Sequence, residues 1–390
     1  MYRNTGLGDR RLYVYFRWLK MKIGRLNLNN FRNYSNLKLL LNDRMNIFVG
    51  DNAQGKTNIL ESIIILALTK SHRITSNFHV ISLGKSKSRI ECTVKKDKLI
   101  TKLKVDLSLN EKKIYINNNV IKKISDYISS LNVIIFTPND LEIIRGAPNI
   151  RRNLLNIQLS QISKTYLNTY NEYNKILKTR NEYLKILCSN SVADRTYLDV
   201  ITDRLIEKAI IIYQKRKEYI DLVNEKVNDV YKYITGEQGL YIKYVNNLDI
   251  VDYDTVSIGE TFKKKLSINF KRELQYGMTL YGPHRDDFVF SYNENDLRIY
   301  GSQGQQKVAV LSFKLSEIPI FKNFSGFYPV LLLDDIFSEL DVKKRNKLLK
   351  LINSYEIQSI ITTTDLNRIN KSNGCDSLTF EIKNANVERK

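Results

Sequence analysis

Cysteine and histidine are both scarce in this sequence of 390 residues, and this narrows the kinds of site that the chain can hold. Cys92, Cys188 and Cys375 lie far apart, so they match neither a metal-binding pair nor a disulfide framework. Because zinc sites need clustered Cys and His ligands, no zinc site is predicted. The thiols are interpreted as reduced and intracellular. The histidines are His72, His79 and His284.

Long apolar runs are also missing. The longest uninterrupted run is Ile63 to Leu68, whereas a helix that spans a bilayer needs about 20 apolar residues. No segment has the layout of a signal peptide, in which a basic stretch precedes an apolar stretch and a cleavage site. These absences exclude a membrane protein of the helical kind and predict a cytoplasmic protein.

Acidic residues are too few to balance the basic ones. There are 62 Lys and Arg residues against 41 Asp and Glu, and the formal net charge is +21. Such an excess favours a polyanionic partner, either nucleic acid or an anionic membrane surface, although lysine-rich helix faces give a similar composition. We favour nucleic acid. The length provides for a large core and predicts one large domain or two coupled ones.

Changes in composition along the chain predict four segments. Residues 1–20 are basic and aromatic without a clear period, and are interpreted as an N-terminal extension or a short arm. Residues 21–150 are rich in strand-like runs, residues 151–235 in helical periodicity, and residues 236–390 return to a mixed pattern. The sequence therefore predicts an α/β head, divided between the second and fourth segments, with a helical domain inserted into it.

The most specific motif is a glycine loop between a predicted strand at Met45–Val49 and a predicted helix at Asn58–Leu68. Such a loop curls around phosphate oxygens and directs backbone N–H groups at them, next to the positive end of the helix. Lys56 is predicted to reach the β- and γ-phosphates of ATP, and the Thr57 hydroxyl to bind Mg²⁺. A glycine turn beside a surface lysine is the alternative. The loop residues are Gly50, Asp51, Asn52, Ala53, Gln54, Gly55, Lys56 and Thr57.

Two carboxylates end a continuous apolar run at residues 329–333. A run of this kind is typical of a central parallel strand, whose carboxyl end faces a ligand crevice. Asp334 is predicted to coordinate Mg²⁺, and Asp335 to orient or deprotonate the attacking water, as in-line hydrolysis requires. The alternative is that these residues cap a following helix.

The middle of the chain has apolar residues at three- and four-residue spacing, which predicts a hairpin of two long helices interrupted near Ser189–Ser191. At 1.5 Å per residue each arm would reach about 50 Å. Tyrosines on the apolar stripe, such as Tyr166, Tyr173 and Tyr219, are predicted to be core residues rather than a platform for stacking bases.

Seven motifs in a fixed order resemble the RecF family, within the ATP-binding-cassette heads of the structural-maintenance-of-chromosomes group. The resemblance spans Met21 to about Leu366. It implies an α/β fold, a P-loop ABC-type ATPase head with an inserted helical, coiled-coil-like domain. The motifs are residues 30–34 (NFRNY), 55–58 (GKTN), 70–73 (KSHR), 282–287 (GPHRDD), 301–307 (GSQGQQK), 337–341 (FSELD) and 362–366 (TTTDL).

The resemblance also implies a mechanism and partners. A signature loop would complete the nucleotide site of a second copy, so that ATP holds a homodimer together and hydrolysis releases it. The family clamps DNA at gap junctions, works with RecO and RecR to load RecA, and supports the SOS response. Arg32 and Asn33 are implied as further nucleotide contacts. The implied signature residues are Ser302, Gln303, Gly304, Gln305 and Gln306.

Some positions depart from these patterns or have no assigned role. Cassette proteins usually have Glu where Asp335 stands, and the shorter side chain predicts slow hydrolysis. Relatives usually have Glu where Asn139 lies, so a contact from that loop is not predicted. His284 could belong to a charged turn or contact the nucleotide. Arg151 and Arg152 could be solvated, but we favour binding to DNA phosphates.

Two rival functions are weighed. The ATPase subunit of a membrane transporter shares the cassette core, but it predicts a Leu-Ser-Gly-Gly-Gln signature and an ordinary charge balance. The sequence instead has Ser302–Gln306 and a net charge of +21. A DNA clamp that binds ATP without productive hydrolysis remains open, since the acidic residues alone do not fix the geometry. The sequence does not identify the residues that contact DNA.

Overall fold

The structure is a computed structural model, and it describes residues 20–71, 73, 77–189, 194–369 and 376–390. Four predictions fall outside these residues or extend beyond them. They concern the extension at 1–20, His72 in the third motif (residues 70–73), Cys375, and the helical interruption near Ser189–Ser191. No helix among the described residues is long and apolar enough to cross a bilayer.

The strands include those predicted from the apolar runs at Met45–Val49 and at residues 329–333. In chain order they are β1 (Met21–Phe31), β2 (Tyr34–Leu40), β3 (Met45–Val49), β4 (Lys87–Lys96), β5 (Leu99–Ser108), β6 (Lys112–Ile116), β7 (Asn119–Val120), β8 (Val133–Phe136), β9 (Leu240–Val245), β10 (Asp287–Tyr292), β11 (Asn295–Asp296), β12 (Val330–Asp334), β13 (Ser359–Thr363), β14 (Ser377–Lys383) and β15 (Asn386–Arg389).

Apart from α1, the helices follow β7 in the chain. In chain order they are α1 (Lys56–Leu68), α2 (Ile124–Tyr127), α3 (Glu142–Arg145), α4 (Pro148–Ile162), α5 (Lys164–Ser189), α6 (Arg195–Thr235), α7 (Thr255–Ile268), α8 (Phe270–Tyr276), α9 (Leu297–Tyr300), α10 (Gln303–Ser325) and α11 (Val342–Ser354). Short 3₁₀ turns follow β8, β12 and β13.

A six-stranded sheet of order β15-β14-β3-β13-β12-β8 forms the centre of the head. All its neighbouring strands are parallel except β14 and β15. β3, β12 and β13 are buried along their whole length, as their continuous apolar sequences predict for strands covered on both faces. The carboxyl ends of β3 and β12 therefore lie at the same edge, one strand apart.

Helix α1 is enclosed between this sheet and a second, antiparallel one. The second sheet has the order β2-β1-β4-β5-β6-β7, and its strands alternate buried and accessible residues. Its inner face packs on α1, which also packs on Phe48, Leu332 and Ile360 of the parallel sheet. Because α1 is covered on both sides, ten of its residues are buried, including Glu61.

The opposite face of the parallel sheet packs on helices. Ile47, Leu331 and Leu333 share a hydrophobic core with α10 and with the long pair α5 and α6. The predicted helical hairpin is confirmed, but its arms are unequal. With 26 and 41 residues, α5 and α6 are about 39 and 61 Å long at 1.5 Å per residue. Asp194 caps the start of α6, and Gly236 ends it with a positive φ of 91°.

The tyrosines of the helical hairpin are core residues, as predicted. Tyr166, Tyr173 and Tyr219 are at most 1% exposed. Tyr219 donates a hydrogen bond to Glu317 of α10, so the hairpin is joined to the head by polar contacts as well as apolar ones. Burial raises the pKa of Glu317 to about 8, and the hydroxyl of Tyr219 opposes this shift.

Candidate functional site

The loop from Gly50 to Thr57 joins β3 to α1, as predicted, and α1 begins at Lys56. The first N–H groups of a helix have no partner within the helix, so they are available to an anion at this end. Gly55 has a φ of 112°, a conformation that glycine adopts without strain. A Cβ at Gly50 would collide with the carbonyl oxygen of Ile382, so this glycine is required by packing.

We expect Gly55→Ala to weaken ATP binding by at least about tenfold, because each lost hydrogen bond to a charged group costs roughly 1.5–3 kcal/mol. The added Cβ would lie 2.6 Å from Asn33 Nδ2 and 2.7 Å from Tyr34 Oη, so the loop must move. Gly84→Ala is the matched control, since Gly84 has a φ of 77° and nothing within 4 Å of the added Cβ. Calorimetric titration with ATP measures the difference. Equal ATP affinity in the two variants would contradict the close fit of Gly55.

Lys56 points back over the loop. Its Nζ donates hydrogen bonds to the carbonyl oxygens of Gly50 and Asp51, at 2.8 and 2.7 Å. The residue is 7% exposed. Burial lowers the pKa of the Lys56 ammonium, while Asp335, Asp334 and Asp51 oppose the shift. The loop thus holds the Lys56 ammonium close to the N–H groups at the start of α1, and both kinds of donor can bind phosphate oxygens.

Thr57 and Asp334 meet where the carboxyl ends of β3 and β12 come together. Thr57 Oγ1 donates to Asp334 Oδ1 at 3.0 Å, and Thr362 Oγ1 of β13 donates to the same oxygen at 2.6 Å. Hydroxyl and carboxylate oxygens are the ligands that Mg²⁺ prefers. The donor set at this point fits a magnesium ion that also contacts phosphates, with Thr57 and Asp334 as the residues to hold it.

Asp335 differs from Asp334 in its backbone conformation and in the hydrogen bonding of its side chain. It has a φ of 45°, an unfavourable conformation for a residue other than glycine, and such strain is typical of functional positions. Its Oδ1 is buried and accepts no hydrogen bond from the described residues. Burial raises the pKa of the Asp335 carboxyl, and Ser338, Arg368 and Lys56 act in the opposite direction. An unpaired carboxylate oxygen beside the phosphate loop is suited to orient a water molecule.

Arg32 and Asn33 occupy different positions relative to the loop. Asn33 lies on it, because its Nδ2 donates to the carbonyl oxygen of Gln54 at 3.1 Å and its Oδ1 accepts from Asn58. Arg32 is engaged by its own chain, with a bidentate ion pair to the buried Glu61 at 2.8 and 2.9 Å. Arg32 therefore ties β1 to α1, and its contact with a nucleotide stays a prediction.

The signature segment forms the N-terminus of α10. Ser302 caps the helix and exchanges hydrogen bonds with Gln305, and the three residues 302–304 are exposed. A Cβ added at Gly304 meets no described atom within 4 Å. This end of α10 thus presents a hydroxyl and helix N–H groups to the surroundings of the subunit.

Gln306 is placed differently from the rest of the signature. It is 3% exposed, and its Nε2 donates to the carbonyl oxygens of Leu297 and Gly301. Its Oε1 accepts from Arg145 at 2.7 Å. The side chain of Gln306 is therefore used to hold the loop in place, whereas Ser302, Gln303 and Gly304 are exposed. A contact of the signature in trans stays a prediction.

The phosphate loop and the signature lie on opposite faces of the parallel sheet. α1 shares a core with Val330 and Leu332, whereas α10 shares a core with Leu331 and Leu333. α10 also packs on β8, which is three strands from β3, or about 14 Å at the usual strand spacing. The sheet therefore separates the signature of one subunit from the phosphate loop of the same subunit.

The prediction that Arg151 binds DNA phosphates is wrong. Arg151 is 2% exposed and makes a bidentate ion pair with Asp287, at 2.7 and 2.8 Å. Arg152 donates to the carbonyl oxygen of Asp286. The pattern of two arginines at a helix start did not reveal these partners, because Asp286 and Asp287 are more than 130 residues away in sequence.

His284 is likewise part of an internal network. Its Nδ1 lies 2.6 Å from Tyr173 Oη and its Nε2 lies 3.1 Å from the carbonyl oxygen of Thr279. Burial lowers the pKa of His284 to about 4, so the ring is neutral at ordinary pH. Asn139 is exposed and lies in the turn whose Asp140 binds the buried Lys314.

Sequence reasoning missed two residues of the site. Thr362 was part of a motif without a role, yet it contacts Asp334 and its hydroxyl also accepts from the Asp335 backbone N–H. Glu61 is fully buried on α1 and binds Arg32 and Ser71. A carboxylate within the apolar stretch of α1 was the available signal for Glu61, since a buried charge needs partners.

Comparison with known proteins gives consistent matches over most of the chain. Residues 22–386 match the family model described as RecF/RecN/SMC N terminal domain. The DNA replication and repair protein RecF of Shouchella clausii is 38% identical over 371 residues, which cover 95% of this chain and 100% of the relative. RecF of Bacillus subtilis is 37% identical over 366 residues, covering 93% and 99%.

Solved structures agree with these sequence matches. A structure of the recombination mediator protein RecF with ATP superposes with a TM-score of 0.87 at 31% identity, covering 96% of this chain and 99% of that one. The Smc head domain of Pyrococcus furiosus has a TM-score of 0.56 at 12% identity, covering 95% and 96%, and shows likeness of fold alone. The predicted class of an ABC-type ATPase head is thereby confirmed.

Proposed function

Because the chain belongs to the RecF family of DNA replication and repair proteins, we propose that it is an ATP-dependent DNA-binding protein of recombinational gap repair. One observation carries the proposal: Lys56, the Thr57–Asp334 pair and the unpaired Asp335 converge at one edge of the parallel sheet. The relatives in the comparisons are DNA repair proteins, so the transporter alternative is not retained.

The residues at this edge divide the work of binding and hydrolysing ATP. The loop N–H groups and Lys56 bind the phosphates. Thr57 and Asp334 would hold Mg²⁺, which would neutralise part of the negative charge of the phosphates. Asp335 orients the attacking water or accepts its proton. Since Asp has a shorter side chain than Glu, it holds the water less well, and we propose that hydrolysis is slow.

The site requires a second copy of the chain. A nucleotide on the phosphate loop contacts its own subunit on one side only. The signature of that subunit lies across the parallel sheet, so it does not cover the other side. Ser302 and the N-terminus of α10 are exposed, and they fit the γ-phosphate of a nucleotide bound by another subunit. ATP then stabilises the homodimer by its higher affinity for the closed state, and hydrolysis releases it.

The positive charge of the chain supports DNA as the partner. With a net charge of +21, the protein is suited to bind phosphates, and the similar RecF protein with ATP is described as a recombination mediator in the RecFOR pathway. We extend that description to this chain. It binds double-stranded DNA and gap junctions in the cytoplasm as an ATP-gated dimer, and acts with RecO and RecR in loading RecA during the SOS response.

Binding to gapped and blunt duplex DNA tests the proposal, with ATP, ADP or no nucleotide present. Coupling free energies between sites are typically 1–3 kcal/mol, so we expect ATP to raise the affinity for DNA roughly 5- to 150-fold over the other two states. Fluorescence anisotropy with labelled DNA measures this difference. Equal affinity in all three states would contradict an ATP-gated DNA-binding protein.

A further inference from the structure

The outward face of the antiparallel sheet carries an excess of cationic side chains that the nucleotide site does not use. We propose that this face binds the phosphate backbone of a DNA duplex, along strands β1, β2, β4, β5 and β6. The inference rests on the proposed function, because it assigns the place on the chain where DNA is bound.

The alternation of the strands fixes which residues point outward. The inner positions of β4 and β5, such as Ile90, Val94 and Val105, are buried against α1. Successive side chains of a strand point to opposite faces, so the residues between them face away from the head. β4 and β5 have ten residues each, which gives the face a length of about 33 Å at 3.3 Å per residue.

Residues on the outward face are aligned in rows across the sheet. One row runs through Lys38, Asn27, Glu91, Lys104 and Tyr115, each opposite the next on a neighbouring strand. The next row contains Asn36, Asn29, Arg89, Asp106 and Lys113. Cationic and amide side chains therefore dominate the outward positions of both rows.

The carboxylates on this face are neutralised by neighbours, whereas several cations are not. Glu91 lies 3.7 Å from Lys102, and Asp106 makes a bidentate pair with Arg89 at 2.7 and 3.1 Å. Among the described residues no ion pair forms with five outward cations, namely Arg25, Lys38, Lys87, Lys95 and Lys104. The charge left over on the face is positive, which complements a polyanion.

A groove of about 680 Å³ crosses the same face. Its lining includes Lys38, Lys87 and the amides of Asn27, Asn29 and Asn36. Three carboxylates also line it, and each has a cationic neighbour: Glu91 with Lys102, Asp106 with Arg89, and Glu111 with Lys113. Lysine and asparagine side chains are common donors to the phosphate oxygens of DNA, and such contacts place a protein on the backbone without reading the sequence. The groove thus provides donors of the right kind on the outward face.

The composition of the face favours the backbone of a duplex over unpaired bases. Single strands are bound by stacking bases on aromatic side chains, but the aromatic residue in the groove is Tyr115, and Lys104 Nζ lies over its ring at 3.8 Å. A duplex carries one negative charge per 1.7 Å of axis, so about 19 charges would face or flank the length of this surface.

The groove is connected to the nucleotide site by a short turn. Asn29 and Asn36 are paired at the end of the β1–β2 hairpin, and Asn33 between them contacts the phosphate loop. Arg32 in the same turn is bound to Glu61 of α1. Binding at the groove and binding at the phosphate loop therefore act on one hairpin, which gives a physical route by which they influence each other.

The test compares two triple charge reversals in the full chain. The sheet variant is Lys38→Glu, Lys87→Glu and Lys95→Glu, all exposed and on the outward face. The control variant is Lys226→Glu, Lys264→Glu and Lys271→Glu, which are exposed residues of α6, α7 and α8. Both changes reduce the net charge equally, so a difference between them reports position rather than total charge.

Binding is measured with ATP on a labelled duplex of about 30 base pairs, roughly three helical turns, over a range of salt concentrations. We expect the sheet variant to bind at least about tenfold more weakly near 0.15 M salt, and the slope of log K against log salt to fall by about 2.7 for three lost contacts. The control is expected to remain within about twofold of the unmodified chain, because surface charges beyond about a Debye length are screened.

Each other result has a distinct meaning. If the unmodified chain does not bind the duplex, the proposed function itself fails. If it binds and the sheet variant binds equally well, or both variants weaken alike, the assignment of this face is overturned while the proposed function stands. A selective loss of single-strand binding, or of binding to a protein partner with duplex binding intact, also overturns it. ATP binding by each variant checks that the chain is still folded. Lys→Gln substitutions at the same three positions remove the charge without reversing it and check that repulsion alone does not cause the loss.

Discussion

Asp335→Asn is expected to reduce ATP hydrolysis at least about 100-fold, since general-base catalysis typically contributes 10²–10⁴. Asn matches Asp in size but does not accept a proton, and its amide group presents one acceptor oxygen where the carboxylate presents two. The Oδ1 of Asp335 is buried and accepts no hydrogen bond from the described residues, so this acceptor is not engaged by the subunit itself. Release of phosphate under single-turnover conditions measures the effect on the chemical step.

ATP binding should change little in the same variant. The Thr57–Asp334 pair and the loop N–H groups remain in place, so the affinity for ATP is expected to stay within about threefold, corresponding to less than 1 kcal/mol. Because ATP is bound but not hydrolysed, the ATP-dependent dimer should persist longer than in the unmodified chain. Unchanged hydrolysis would show that a different group activates the water.

Asp194→Asn is a suitable control for this substitution. Asp194 is an exposed carboxylate outside the motifs, and it caps α6 by accepting from Thr196 N–H. Asn is also a good cap, so the change costs little stability. Hydrolysis by the Asp194→Asn variant should equal that of the unmodified chain. A comparable loss in both variants would indicate a general effect of removing a carboxylate.

Ser302→Arg is expected to weaken the ATP-dependent dimer by roughly 100-fold or more, since an uncompensated charge buried in an interface costs about 3–5 kcal/mol. Ser302 is exposed in the subunit, so the longer side chain does not disturb its core. The phosphate loop of the same chain lies across the parallel sheet, and ATP affinity of the monomer should stay within about twofold. Sedimentation with and without ATP measures the dimer, and calorimetry measures ATP binding.

The loss of a helix cap must be separated from the effect on the interface. Ser302 accepts a hydrogen bond from Gln305 N–H, and losing a cap costs about 0.5–2 kcal/mol. Asp254→Arg removes the cap of α7 at an exposed position and also adds an arginine, so it is the matched control. That variant should dimerise with ATP as the unmodified chain does. Monomers of Ser302→Arg that fail to bind ATP would contradict the proposed division of labour.

Local patterns in the sequence were sufficient to predict much of the head. The phosphate loop has glycines at fixed spacing, and the run before Asp334 is continuous and apolar, so their strands were predictable without knowledge of the fold. A loop or a strand of this kind is determined by residues that are adjacent in the sequence. The tyrosines of α5 and α6 were similarly assigned to the core from their helical spacing.

Contacts between distant segments were not predictable in the same way. The ion pair of Arg151 with Asp287, the bond from Thr362 to Asp334, and the bond from Arg145 to Gln306 all join residues that the fold brings together. The same charged side chain can be solvated or buried, and its own neighbours in sequence do not decide between these states. The position of α1 and α10 on opposite faces likewise follows from the topology of the sheet.

The most direct test of the composite site is to mix two inactive variants, Lys56→Ala and Ser302→Arg. A mixed dimer has one complete site, made of the phosphate loop of the Ser302→Arg chain and the signature of the Lys56→Ala chain. Each variant alone should have almost no ATPase activity, and the mixture should exceed the sum of the two, with the recovery limited because each mixed dimer keeps one substituted signature at its interface. Activity of the mixture no greater than the sum of the separate variants, or full activity of Ser302→Arg alone, would contradict a site shared between two subunits.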